Sequence, residues 1–284
     1  MNYTEQAEAF SSAGATLIGV LTLPAVPAQT AVVIVVGGPQ YRAGSHRQFV
    51  LLARALADAG HAVLRFDCQG MGDSGGEPRG FEQMTGDIAA AIERVCVRTG
   101  SVERVVLWGL CDGASAALLY CQETADPRVR GLCLLNPWVR TDLSLARTQV
   151  KHYYSQRLTQ PAFWAKLLRG DVARDSVTGL LRGLRTALGP TEARIDDPTA
   201  YTARMAQAWQ AFDGPRLLML SGRDYTAKEF TEHVAADPAW ADAFQHPRLE
   251  QHSLPDADHT LSASGDHARA ERLTIEWLER TSYA

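Results

Sequence analysis

The chain has 284 residues, room for one large domain or for a core that carries an insertion. Its 46% hydrophobic and 21% charged residues are ordinary for a globular protein, and a net charge of −4 leaves no basic footprint for nucleic acid. No apolar span is long enough for a membrane helix, and residues 1–10 are polar and acidic rather than a signal peptide, so the expected compartment is the cytoplasm.

In chain order, residues 15–24 (ATLIGVLTLP) read as an early strand that ends on a proline. Residues 31–36 (AVVIVV) are a β-branched run, the pattern of a strand buried on both faces, and they stop at Gly37-Gly38-Pro39-Gln40. Ser45 is expected to cap a helix through residue 59, with Phe49, Leu51, Leu52, Leu56 and Ala59 on its apolar face. A strand at 62–66, a glycine-rich loop at 67–80 and helical spacing over 81–98 follow. Val105 to Trp108 is the next apolar run. It stops at Gly109, and small or apolar residues resume at helical spacing through Ala114, Ala117 and Leu118. Another strand at 129–135 ends in Asn136-Pro137-Trp138.

The alternation then breaks. From 139 to about 212 the chain offers helical stretches without a convincing strand. Strand and helix return at 215–221, 227–236, 249–254 and 266–278. Strands alternating with helices imply an α/β fold, a mostly parallel sheet covered on both faces. The expected division is a core of 1–137 and 214–284, with 138–213 inserted as a helical lid over the carboxyl edge of the strands.

Between the run at 105–108 and its helix lies Gly109-Leu110-Cys111-Asp112-Gly113. This is the G-x-S-x-G strand–turn–helix with cysteine in place of serine. Such a turn lifts one nucleophilic atom to the start of a helix, where unpaired N–H groups favour a thiolate. A nucleophile needs a base and a group that orients it. Asp224 stands just past the strand at 215–221, and His259 just past the strand at 249–254, so both fall on the sheet edge that holds Cys111. Asp224 also stands where a helix starting near Tyr225 needs its cap, and Asp256 and Asp258 compete for the acid's role from within the histidine's own loop.

Acyl transfer needs donors where the oxyanion forms. The expected pair is the backbone N–H of Asp112 and that of Gly38, with Gln40 in reserve because Pro39 has no N–H. His46 and Arg47 open the next helix, as solvated residues or as holders of a substrate carboxylate or phosphate. Trp138, Tyr153 and Tyr154 line a pocket beneath the lid or pack within it. Gly70-Met71-Gly72-Asp73-Ser74-Gly75 matches a dinucleotide fingerprint, but Gly76, Pro78 and Gly80 leave no helix to receive a pyrophosphate. Five cysteines without C-x-x-C spacing read as reduced thiols, and the histidines form no metal-binding cluster, so neither metal nor cofactor is expected.

The ordered set Gly37-Gly38-Pro39, Phe66-Asp67 through Ser74, Gly109 through Gly113, Asp224 and His259 resembles the α/β-hydrolase superfamily across nearly the whole chain. More narrowly, the stretch GGPQYRAGSHRQFVLLARALADAGHAVLRFDCQGMGDS and the turn GLCDGASAA resemble the exosortase A system-associated hydrolases, type 1. That resemblance implies a bacterial hydrolase without an established substrate, and cysteine for serine is a departure from the common superfamily pattern. Cysteine versions of this turn also occur in polymer synthases and dienelactone hydrolases that resemble it. The chemistry expected first is hydrolysis of a small-molecule ester, thioester or lactone through a thioester acyl-enzyme. Transfer of the same acyl group ranks second, and a catalytically silent binding scaffold third.

Overall fold

Residues 2–38, 40–140 and 200–281 are described by the computed structural model. Met1–Trp138 and Pro198–Ala284 form one unit, to which the elements below belong. The strands are β1 (Tyr3–Ser12), β2 (Ala15–Pro24), β3 (Thr30–Val35), β4 (Val63–Phe66), β5 (Arg104–Leu110), β6 (Val129–Leu135), β7 (Arg216–Ser221) and β8 (Leu249–Leu254). They form one sheet in the order β1-β2-β4-β3-β5-β6-β7-β8. β2 runs antiparallel to both of its neighbours, and every pairing from β4 to β8 is parallel. The strand order reverses between β3 and β5. The loops leaving those two strands diverge there, which opens a crevice at the carboxyl edge.

The parallel strands read as unbroken apolar runs because both faces are covered. Val32, Ile34, Val106, Trp108, Leu217 and Met219 face a cluster with Phe49, Leu52 and Leu56 of α1 (Gln48–Asp58). Trp277 and Leu278 complete that cluster from the carboxyl-terminal helix, Ser264–Thr281. Alternate side chains, Val33, Leu107, Leu132 and Leu218, are equally buried and point to the opposite face. There α2 (Thr85–Thr99) packs on α3 (Asp112–Thr124), which packs on α4 (Tyr201–Ala211). Each buried Leu, Ile or Val side chain contributes about 1.5–3 kcal/mol. The remaining helices are α5 (Tyr225–Ala236) and α6 (Ser264–Thr281).

Two local expectations are corrected. The polar opening of the chain is β1, an edge strand whose buried Glu8 is held by Arg94 and Arg98 at 2.5 and 2.7 Å. Ser45 does not cap α1: it begins a 3₁₀ turn, and the residue before α1 is Arg47 in a left-handed conformation. Within the stretch expected as the insertion, α4 (Tyr201–Ala211) packs on α3. Trp209 of α4 is buried and packs on Trp240 and Phe230, with ring centroids 5.6 and 6.5 Å away. The rest of the expected lid, 141–199, lies outside the described residues, as do Tyr153, Tyr154 and Pro39. Among the described residues no helix is long and apolar enough to cross a membrane, and no group of side chains is arranged to hold a metal ion.

Candidate active site

β5 delivers the chain into a strained turn. Cys111 has φ 61° and ψ −126°, a conformation that non-glycine residues avoid. A Cβ at Gly109 would overlap the backbone of Gly113 and Ala114, and one at Gly113 would overlap the carbonyl of Val35. The two glycines therefore let strand, helix and the neighbouring β3 close up beneath the cysteine. The backbone around it is anchored on both sides: the Cys111 N–H donates to Leu135 O at 2.9 Å, and its carbonyl accepts from Ala114 and Ser115 at 3.0 and 3.2 Å. Trp138 joins the site through its backbone. Its N–H donates to the Ser115 hydroxyl at 2.9 Å, and that hydroxyl donates to the Trp138 carbonyl at 2.7 Å.

Asp224 leaves the end of β7 with a buried carboxylate. Its Oδ1 accepts from the Thr226 N–H at 3.0 Å and caps α5, while its Oδ2 lies 2.8 Å from His259 Nδ1. The two readings of this residue in the sequence thus describe one carboxylate. Asn136, fully buried at the end of β6, ties that edge together: its Oδ1 accepts from Ser221 N at 2.8 Å and its Nδ2 donates to Ser221 Oγ at 3.0 Å. The competing acids are elsewhere. Asp258 accepts from the N–H groups of Thr260 and Ser262 at 3.1 and 3.0 Å and shapes the histidine's loop, and Asp256 is exposed.

The imidazole of His259 has two partners, Asp224 and the side chain of Cys111. The Asp224 hydrogen bond, then the Cys111 one, push its pKa up to about 10 against the opposing effect of burial. His259 is thereby held as an imidazolium at neutral pH.

The loop after β3 departs from expectation. The Gly38 N–H does not face an open pocket: it donates to Oδ2 of the Asp112 side chain at 2.6 Å. Gln40, the reserve donor, accepts through its Oε1 from Gln48 Nε2 at 3.4 Å. An ion pair between Arg42 and the fully buried Asp67 fastens this loop to the one after β4, and the Arg42 N–H donates to the same carboxylate at 2.6 Å. His46 and Arg47 are exposed, at φ 53° and 62°. Sequence reasoning missed the side chains of Asp112, Asn136 and Arg42. The visible signal was a polar residue at or just beyond each strand end.

Residues 27–182 match the family described as serine aminopeptidase, S33 (Hydrolase_4). The chain belongs to that family. The matched stretch includes Gly38, Asp67 and Cys111 and stops before Asp224 and His259, which the fold itself brings back to the same edge. Solved structures share the α/β-hydrolase fold along the whole length. The esterase Pf2001 of Pyrococcus furiosus aligns over 99% of this chain and 92% of its own, with a TM-score of 0.67 at 15% identity. Est1E of Butyrivibrio proteoclasticus, solved with ferulic acid, aligns over 98% and 100%, with a TM-score of 0.65 at 15% identity. GrgF from Penicillium sp. sh18 aligns over 99% and 100%, at 0.65 and 19%. At such identities the likeness is one of fold. Human protein ABHD12B is 38% identical over 81 residues, 28% of this chain and only 21% of that protein's length. In this S33-family chain the sharp turn between β5 and α3 holds Cys111.

Proposed function

We propose that the protein is a cysteine-dependent acyl hydrolase acting on small-molecule esters, thioesters or lactones, with Cys111, His259 and Asp224 as its triad. The observation that carries this reading is an imidazole whose Nδ1 lies 2.8 Å from the Asp224 carboxylate and whose other partner is the side chain of Cys111 in its strained turn. The likeness in fold to esterases such as Pf2001 and Est1E agrees with it.

In the attacking state the proton of Cys111 resides on His259. The sulfur attacks the acyl carbon, the C–O or C–S bond to the leaving group breaks, and Nε2 of His259 gives the departing atom its proton. Acylation takes the Cys111 side chain out of its hydrogen bond with His259, one of the two contacts that raise the imidazole, and the ring has given its proton to the leaving group. The now neutral imidazole accepts a proton from water as that water attacks the thioester, the C–S bond breaks, the acid product leaves, and Cys111 is regenerated with the proton on His259. Asp224 keeps Nδ1 occupied throughout, so that Nε2 is the nitrogen turned to the chemistry. Intact-protein mass spectrometry after exposure to a panel of acyl thioesters and lactones tests the reading. The expected result is one acyl group added, mapped to Cys111, that disappears with time in water. A chain that takes up no acyl group from any donor is a binding scaffold, and a persistent adduct released only by an added amine, thiol or alcohol marks an acyltransferase.

A further inference from the structure

We propose that the Asp112 carboxylate is a built-in occupant of the oxyanion pocket, so that the site rests closed to acyl transfer and opens when this side chain swings out. The inference rests on the reading of Cys111 as nucleophile and adds a residue to that site whose side chain acts against the reaction.

The Gly38 N–H reaches across from the loop after β3 and donates to Asp112 Oδ2 at 2.6 Å. The N–H groups of Gly113 and of Asp112 itself, at the start of α3, also favour the charge on this carboxylate. Gly38 and Asp112 are the donors that a tetrahedral oxyanion beside Cys111 requires. Carboxylate and oxyanion are both negative and both acceptors, so they cannot hold the same N–H groups together. The fit is close: a Cβ at Gly37 would overlap both Asp112 Oδ1 and the backbone nitrogen of Gly113, so glycine lets the loop after β3 lie against the start of α3 with the carboxylate seated between them.

The occupant is held unevenly, by one oxygen more than the other. Asp112 Oδ1 is buried without a hydrogen bond of good geometry, and burial raises the carboxyl's pKa above the usual carboxylate range, opposed by the Gly38 and Gly113 N–H groups and the His259 charge. Asp112 itself is only half-buried, which leaves the side chain a way toward solvent. A short aspartate seated on strong donors, with one oxygen unmet, is a plug that a substrate carbonyl can replace.

Two reagents separate the pocket from the nucleophile. Iodoacetamide alkylates sulfur by displacing iodide and forms no oxyanion, whereas p-nitrophenyl acetate must pass through one before p-nitrophenolate leaves. With Asp112→Ala, acylation of Cys111 should rise at least about ten-fold while alkylation stays within about two-fold of the unaltered protein. Sodium formate should refill the vacated pocket and slow acylation of the variant, leaving the unaltered protein unaffected. Asp112→Asn, which keeps the shape without the charge, should show a smaller gain in the same direction, and it keeps the test open should the alanine variant not fold. Acylation that is unchanged or slower in both variants overturns the proposal, as does a formate effect equal in all the proteins. Failure of the nucleophile reading looks different: Cys111 would then alkylate no faster than the fully buried Cys133 in any of these proteins.

Discussion

The two edges of the sheet carry the same residue types and opposite electrostatics. At the carboxyl edge stand Cys111, His259 and Asp224, and at the amino edge Cys121, His246 and Asp213 lie around Arg216. At the first edge the histidine is pushed up to about 10 by an acid and a thiol. At the second edge His246 is pushed down, by burial and then by the Arg216 and Arg248 charges, and burial pushes Cys121 up to about 12. Arg216 there is fully buried, and among the described residues no carboxylate is hydrogen-bonded to its guanidinium. Its Nη1 lies 2.8 Å from His246 Nδ1, its Nη2 donates to Trp209 O at 2.7 Å and also to Phe212 O, and burial brings its own pKa down to about 10. A groove of about 1250 Å³ opens at this amino edge, yet burial pushes its cysteine up and its histidine is pushed down, the reverse of His259. Residue types do not make a site. The sign of the charge around the histidine does.

The comparison is broken most forcefully at His259. His259→Ala removes the proton donor and the counter-charge together, and single-turnover acylation of Cys111 should fall by about a thousand-fold or more. Asp224→Asn should cost about a hundred-fold or more and remove the larger of the two effects that raise the imidazole. The alkaline decline in acylation, expected near pH 10 in the unaltered protein, should then begin at lower pH. Stability follows the same sign. A histidine raised on folding stabilises fully below its ordinary pKa of about 6.5, and that contribution is lost as pH climbs through the folded value. The melting-temperature gap between the unaltered protein and Asp224→Asn should therefore narrow as pH climbs from 7 past about 10. The groups that face this imidazole are Asp224, Cys111 and Asp112. The smallest effect belongs to the other edge. Arg216→Met leaves the carbonyls of Trp209 and Phe212 without this donor and should cost about 1–3 kcal/mol in urea unfolding. The His246 resonance should then titrate at higher pH, with Cys111 acylation unchanged.

What the sequence made legible were features that depend on backbone spacing. Glycines two places either side of Cys111 announce a close strand-to-helix turn, and β-branched runs such as TAVVIV announce strands covered on both faces. Asp224 was readable because it follows the apolar run RLLMLS, and His259 because the strand–helix alternation calls for a further strand, the mostly polar LEQHSL, just before its loop. The features missed depend on where a side chain turns. Nothing in the string CDG says that the aspartate folds back onto the Gly38 N–H, since that donor arrives from 74 positions upstream. Glu8 disguised β1 for a related reason: its arginine partners lie 86 and 90 positions on, so a buried charge looked like a solvated one. Ser45 had the chemistry of a cap, but the left-handed pair His46 and Arg47 carries the chain past it before α1 starts.

Asp224 divides its two oxygens between the first turn of α5 and the ring of His259, and this limits what can replace it. Glutamate keeps the charge but sets it one methylene farther out, and it is a poor helix cap. It can reach the imidazole only by leaving the Thr226 N–H, or hold the helix only by leaving the ring. Asparagine keeps the cap geometry and loses the charge. Aspartate alone among the acidic side chains joins the two, so the start of α5 and the orientation of the imidazole are inherited as one trait. A drift in the helix start is felt at once in the angle of the ring.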